Sequence, residues 1–235
     1  MARIGTHELP VTEMMWRLTD SDDLALDVGA NIGYYTSLLA RRARKVIAFE
    51  PHPALSARLR ENAANWSYGE IVIEERAASD KTGKAELLEP SDFDLNSGTA
   101  SLEDSSTGSK GIEVETVRLD ELLDGEKVGV LKVDVEGHEL AVLEGLGECL
   151  GAGQVRDVFF EDHEPIPTPV SELLASNGYR VFSLEQKFRG VSLGPADGPA
   201  QHWYSWAAPT YLATRDPERA EKRAGTSGWH CLRPR

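Results

Sequence analysis

The chain is poor in cysteine, with two in 235 residues, Cys149 and Cys231. They form no disulfide framework and no CxxC pair, which argues against a stapled secreted scaffold and a thiolate zinc site, and a reducing cytosol is the expected compartment. Long apolar runs are also missing. Nowhere do 18 apolar residues follow one another, and Met1 to Pro10 shows no basic start leading into an apolar stretch, so neither a membrane span nor a signal peptide is expected. Basic charge is scarce: 25 Lys and Arg face 39 Asp and Glu, a formal charge of −14. A surface this acidic repels phosphate backbones and disfavours bulk nucleic-acid binding. The one basic stripe, Arg41, Arg42, Arg44 and Lys45, reads as the solvated end of a helix. Repeats are absent. What is present, 40% apolar residues and 21 glycines, is globular composition, and the length suits one domain with a sizeable core.

Periodicity predicts alternating helices and strands. Val11, Met14, Met15 and Leu18 fit one helical face, followed by a strand at Leu24 to Val28, a helix with Tyr35, Leu38 and Leu39 inward, and a strand at Lys45 to Phe49. Pro53 suits the first turn of a helix carrying Leu55, Leu59 and Ala63, and Ile71 to Ile73 opens a third strand. This rhythm implies a doubly wound parallel sheet. It breaks between about Ala78 and Lys127, where strands at Lys84 to Leu88 and Ile112 to Val117 flank a Ser, Asp and Gly-rich stretch from Ser91 to Gly111, read as a β-hairpin insertion between strands 3 and 4. Strands resume at Val128 to Val135, Val155 to Glu161 and Tyr179 to Leu184, with a final strand expected within Gln201 to Ala213. Residues 1–213 are expected to form one domain and 214–235 a flexible, frayed tail.

In such a sheet, ligands bind beyond the carboxyl ends of the strands. The first strand ends in Asp27-Val28-Gly29-Ala30-Asn31-Ile32-Gly33, where the glycines allow a tight turn and close approach to a ligand. The second ends in Phe49-Glu50-Pro51, an acid able to accept both hydroxyls of a ribose. A dinucleotide site would use GxGxxG; here Asn31 replaces the middle glycine. Asp27 would repel a diphosphate but suits an ammonium, so S-adenosylmethionine fits better than NAD on charge grounds. The fourth strand ends in Lys132-Val133-Asp134-Val135-Glu136-Gly137-His138-Glu139 and the fifth in Glu161-Asp162-His163. Asp134, with Glu161 and His163 alongside, could serve as general base for a substrate hydroxyl or hold a divalent cation that acidifies it. Glu139 reads as a helix N-terminal acid, and His138 is as readily a packing histidine as a functional one. Tyr34, Tyr35, Trp203, Tyr204 and Trp206 could line an aromatic acceptor pocket, although aromatics at such positions are more often core.

Asp27-Val-Gly-Ala-Asn-Ile-Gly33, Phe49-Glu-Pro-His-Pro53, Ala78-Ser-Asp80 with Gly83, Asn96-Ser-Gly-Thr-Ala-Ser-Leu102, Leu119-Asp120 and Leu131-Lys-Val-Asp-Val-Glu-Gly-His-Glu139 occur in an order that resembles FkbM-type methyltransferases. The Lys-Val-Asp-Val-Glu-Gly-His-Glu segment is the most specific of them. The resemblance implies a class I, Rossmann-like α/β fold with seven strands ordered 3-2-1-4-5-7-6, the last antiparallel, and methyl transfer from S-adenosylmethionine, usually to a hydroxyl. It makes Asp27, Gly29, Asn31 and Gly33 the methionine-side contacts, with Ala30, Tyr35 and Thr36 in the same segment. Glu50, with Pro51, becomes the ribose contact, Asp80 lies near the adenine, and Asp134 and Glu136 form the catalytic side. The expected partner is a small-molecule hydroxyl acceptor. N- or C-methylation, a nicotinamide-dependent oxidoreductase and a non-catalytic nucleoside-binding module stand as the alternatives.

Overall fold

A computed structural model describes residues 7–88, 111–197 and 209–232, and the backbone of 101–103. Helix α1 (Leu9–Leu18) buries Val11, Met14, Met15 and Leu18 completely, as its spacing predicts. Next come β1 (Leu24–Val28), α2 (Tyr34–Ala40), β2 (Lys45–Phe49), α3 (Pro53–Ala64) and β3 (Glu70–Glu74). Pro53 opens α3 behind His52, whose side chain accepts from the Ala54 amide. The insertion is larger than a hairpin. It is a second sheet of β4 (Ala77–Ala78), β5 (Gly83–Leu88), β6 (Ser101–Glu103) and β7 (Ile112–Val117), in the order β4-β7-β5-β6. Apart from β6 and Gly111, the 91–111 loop lies outside the described residues, as do Asn96 and its neighbours, Trp203, Tyr204 and Trp206.

After α4 (Leu119–Leu123), β8 (Val128–Val133) returns to the centre of the main sheet. The apolar positions Leu140, Leu143, Leu146 and Leu150 have helical spacing, but the helix is broken into α5 (Glu139–Glu144) and α6 (Glu148–Gly151) at Gly147, whose φ is 48°. Then follow β9 (Val155–Glu161), α7 (Pro169–Ser176), β10 (Arg180–Lys187), β11 (Gly190–Pro195), β12 (Thr210–Thr214) and α8 (Pro217–Ala224). The main sheet has eight strands rather than the expected seven, ordered β11-β10-β12-β9-β8-β1-β2-β3. From β3 to β10 this is the 3-2-1-4-5-7-6 order, with β12 antiparallel to both neighbours. The extra strand, β11, folds back antiparallel on the edge of β10.

Alternation along the strands divides the core. Leu24, Leu26 and Val28 pack with Leu131, Val133 and Val158 under α5 and α7, while Ala25, Val130 and Phe159 pack with α1, α2 and α8. Asp27, two residues beyond Ala25, is the register partner of Lys132, two beyond Val130. The second face therefore ends in charge.

The segment from Thr214, expected to fray, is instead pinned. Buried Arg17 pairs with buried Glu13 at 2.5 Å and donates to the carbonyls of Arg223, Ala224, Thr226 and Gly228, covering the C-terminal end of α8. Glu13 also accepts from the amides of His230 and Cys231. Arg17→Met leaves Glu13 an uncompensated buried charge, and a loss of about 3–5 kcal/mol is expected in urea denaturation; a loss below 1 kcal/mol would show the clasp to be incidental.

Candidate active site

The glycine turn and the second-strand acid meet directly. Gly29 (φ 82°) and Ala30 both donate their amides to the Phe49 carbonyl, bringing the turn across the end of β2. Asn31, also left-handed at φ 51°, donates its amide to Glu50 Oε2 at 2.8 Å, and the His52 amide donates to Oε1 at 2.9 Å. Each Glu50 oxygen thus has one fixed bond and a lone pair to spare. Burial pushes the Glu50 carboxyl up despite those two donors. The two glycines do different work. A Cβ on Gly29 would lie 1.8 Å from the Asp134 carbonyl oxygen, so Gly29 lets β1 and β8 close on each other. A Cβ on Gly33 would strike Leu59 at 2.5 Å, which makes Gly33 a packing requirement of α3.

Around this turn lies a partly open cavity. Asn31, Glu50, Asp134 and Glu136 supply its polar wall, Gly29 and Pro51 lie beside them, and Phe49, Leu55, Ala77, Ala78 and Leu87 form an apolar wall. Leu87 comes from β5, so the inserted sheet closes one side of the cavity. Of the other residues expected at the cofactor, Ala30 packs against Ala48 and Leu59. Thr36 donates to Asp27 Oδ2 at 2.5 Å, and the Tyr35 hydroxyl to Glu8 Oε2 at 2.9 Å; neither lines the cavity. Asp80 stands outside it, where it accepts from the Ser79 hydroxyl.

Beside the cavity the second face of the sheet carries a row of buried charge. Lys132 is 1% exposed, bonds Asp134 Oδ2 at 2.5 Å and lies 4.7 Å from the centre of the Tyr35 ring. Burial opposes its charge, but Asp134, Glu161 and Asp27 outweigh burial and hold the ammonium protonated. Asp27 is 1% exposed; burial pushes its carboxyl up, and its Oδ1 has no hydrogen-bond partner. Glu8, at the N-cap position of α1 with φ 39°, is likewise buried, pushed up by burial, and has an unpartnered Oε1. Lys132 and Glu8 are the members that sequence reasoning missed. A lysine inside the wholly buried strand Val-Gly-Val-Leu-Lys-Val was a legible signal, because an unpaired ammonium is not tolerated there. Glu8 gave none, since its partner Tyr35 is 27 residues away.

Glu161 follows Phe159 on the same face of β9 and is pushed up to about 9, first by burial and then by Asp134. At neutral pH it is a protonated donor, not a base. A carboxyl with its folded value above its unfolded one adds stability at low pH that is lost as pH rises towards the folded value. Thermal midpoints are therefore expected to fall between pH 5 and 9, and Glu161→Gln should flatten that fall; an unchanged slope would contradict the assignment. His163 is exposed, and its charge acts on Glu136. Among the described residues no three His, Cys, Asp or Glu side chains form a group able to hold a metal ion. Asp134, Glu161 and His163 are therefore not a ligand set: Asp134 is committed to Lys132, and His163 lies out at the surface. Glu139 is more than a helix-end acid, for its Oε1 accepts the Val135 and Gly137 amides and clamps the loop after β8.

The donor set fits the groups of S-adenosylmethionine. Glu50 offers lone pairs to vicinal hydroxyls, and Asp27, which lies behind the glycine turn and does not itself line the cavity, has a buried acceptor without a donor, as an ammonium requires. The apolar wall suits a flat base.

Residues 27–181 match the family described as the methyltransferase FkbM domain. The hexuronic acid methyltransferase AglP of Haloferax volcanii is 35% identical over 172 residues, covering 72% of this chain and 68% of that protein. The methyltransferase sdnD of Sordaria araneosa is 29% identical over 195 residues, covering 68% of this chain and 75% of its own. Among solved structures, an rRNA methylase from Streptococcus thermophilus superposes with a TM-score of 0.50 at 12% identity, over 86% of this chain and 91% of that one, a likeness of fold alone. No helix among the described residues is long and apolar enough to cross a membrane.

Proposed function

The chain belongs to the FkbM family of methyltransferases, and from that premise we propose that it transfers a methyl group from S-adenosylmethionine to a hydroxyl of a sugar, with a sugar acid as the favoured acceptor. The observation that carries the site assignment is that Asp134 lines the same cavity as Glu50 and Asn31 while Lys132 fixes its carboxylate from behind. The acceptor class rests on the likeness to a hexuronic acid methyltransferase.

When bound, S-adenosylmethionine supplies a methyl group on a sulfonium, a good leaving group, so the protein's task is to align the acceptor oxygen and deal with its proton. Glu50 holds the ribose hydroxyls, and the free Oδ1 of Asp27 takes the ammonium. Asp134 accepts the proton of the acceptor hydroxyl. Lys132 keeps Asp134 in one orientation and stays charged throughout, offsetting the carboxylates around it. Glu161, protonated, does not compete for the proton.

Titration calorimetry tests the cofactor half of the proposal. S-adenosylmethionine and S-adenosylhomocysteine are expected to bind and NAD is not; a response to NAD alone would overturn it. Cofactor binding without methyl transfer to any sugar or sugar acid would favour a nucleoside-binding module instead.

A further inference from the structure

The chain is acidic overall, but its charge is not evenly spread. Residues 222–235 contain four basic residues, Lys222, Arg223, Arg233 and Arg235, and no Asp or Glu, in a chain of net charge −14. Gly228, within this stretch, donates its amide at 2.8 Å to the carbonyl of Arg189, in the turn between β10 and β11. That turn reads Lys187-Phe188-Arg189 and adds two more cations, which share a groove with Gly225, Thr226 and Ser227. The acids beside it are already matched: Glu185 takes Lys187 at 2.6 Å and Glu221 takes Arg180 at 3.3 Å. Arg189 and Lys222 have no acidic partner among the described residues.

Between the two cations of the turn stands a bare aromatic ring, for Phe188 is 97% exposed. Lys187 is the register partner of Gly190, so Phe188 and Arg189 make a two-residue loop, where small turn-forming residues are the rule. Packing gives no reason for a phenyl group there. The ring is nevertheless held in place: six register pairs, from Phe182 with Pro195 to Lys187 with Gly190, form the ribbon beneath it. Trp229, partly exposed, and Leu232, 45% exposed, follow Gly228 within four residues, with the Cys231 amide held by Glu13. Strands β9 and β10 both run antiparallel to β12, so they point the same way, and β10 continues past Ser183, its last partner in β12, for four residues to the turn. Phe188 therefore projects at the carboxyl end of the sheet, the end that carries the cavity.

We propose that this corner docks on an anionic lipid surface, with Phe188 seated at the level of the headgroups and Lys187, Arg189 and Lys222 against lipid phosphates, turning the cavity end of the sheet towards the membrane. An exposed aromatic between cations is how a protein grips an interface that is apolar inside and negative outside. The acidic remainder of the chain is repelled by the same surface, which fixes the orientation. Neither the ring nor the charges depend on the methyl-transfer reading.

The test is sedimentation with vesicles of phosphatidylcholine alone and of phosphatidylcholine mixed with phosphatidylglycerol. The native protein should bind the mixed vesicles at low salt, bind the neutral ones far less, and come off in about 1 M salt, where charge is screened beyond about 3 Å. Phe188→Ser should weaken binding about tenfold through loss of the buried ring, and Arg189→Ala about fivefold. Phe188→Trp should bind as the native chain does, and the emission it adds should shift to the blue on the mixed vesicles. Thermal midpoints of all three variants should match the native value, because both side chains are exposed. A native protein that ignores the mixed vesicles at low salt, or a Phe188→Ser variant that binds them as tightly as the native chain, would overturn lipid docking. Self-association of the native chain that is lost in Phe188→Ser, without binding to vesicles, would also overturn it and give the turn to a protein interface.

Discussion

Asp134→Asn is expected to lower kcat by about 10²–10⁴-fold, the usual worth of a positioned general base, while S-adenosylhomocysteine still binds within about threefold of the native affinity. The amide keeps the size of the carboxylate and can still face Lys132, so the Asp134–Lys132 contact is weakened rather than emptied. The variant removes the proton acceptor without opening a hole, which is why the split between binding and turnover is diagnostic. It also removes the second cause of the raised Glu161 carboxyl, so Glu161 should titrate lower than about 9. Single-turnover kinetics and calorimetry on the same preparation check both parts. Native turnover in Asp134→Asn would take Asp134 out of the chemistry.

Gly29→Ala is the second large effect. The new methyl would have to share space with the Asp134 carbonyl, 1.8 Å away, in a backbone conformation at φ 82° that already disfavours a side chain. The clash falls where the β8 chain continues past β1, with the Asp134 amide bonded to the Val28 carbonyl at 3.0 Å. A loss of about 2–5 kcal/mol is expected, from the left-handed strain together with overpacking. Cofactor affinity should drop with it, because Asn31, two residues on, carries the amide that holds Glu50. Gly137→Ala is the control. Gly137 has φ 95° but nothing within 4 Å of its would-be Cβ, so only the strain of about 1–2 kcal/mol applies. Urea denaturation of the two variants side by side separates clash from strain, and equal losses would contradict the close-approach role of Gly29.

How much of this was legible in the sequence differs by element for physical reasons. Strands β1, β2, β8 and β9 are buried and parallel, so their apolar runs and the glycines and acids that end them stand out, and Glu50 and Asp134 follow from the rule that ligands gather at carboxyl ends. The joining of the glycine turn to Glu50 runs from a backbone amide to the carboxylate, and the identity of Asn31's side chain does not announce that donor. Thr36 and Tyr35 sit in the right segment but bond away from the cavity, to Asp27 and Glu8. Strand β11 contains two glycines and ends on a proline, so its pattern is too weak to distinguish from a loop. Helix α8 has only Ala220 and Ala224 buried; it is held by arginines reaching carbonyls, an attachment that leaves no apolar signature and made the segment look frayed. The buried row from Asp27 through Lys132 to Glu161 becomes visible only once register places three strands side by side.

The central claim is transfer of a methyl group to a sugar oxygen, and its most direct measurement uses S-adenosylmethionine labelled in the methyl group with a panel of sugars and sugar acids, followed by NMR of the product. A labelled methyl on oxygen, formed by the native chain and lost in Asp134→Asn, is the predicted result. A labelled methyl on nitrogen or carbon, or no transfer to any member of the panel by a chain that binds the cofactor, would contradict the account.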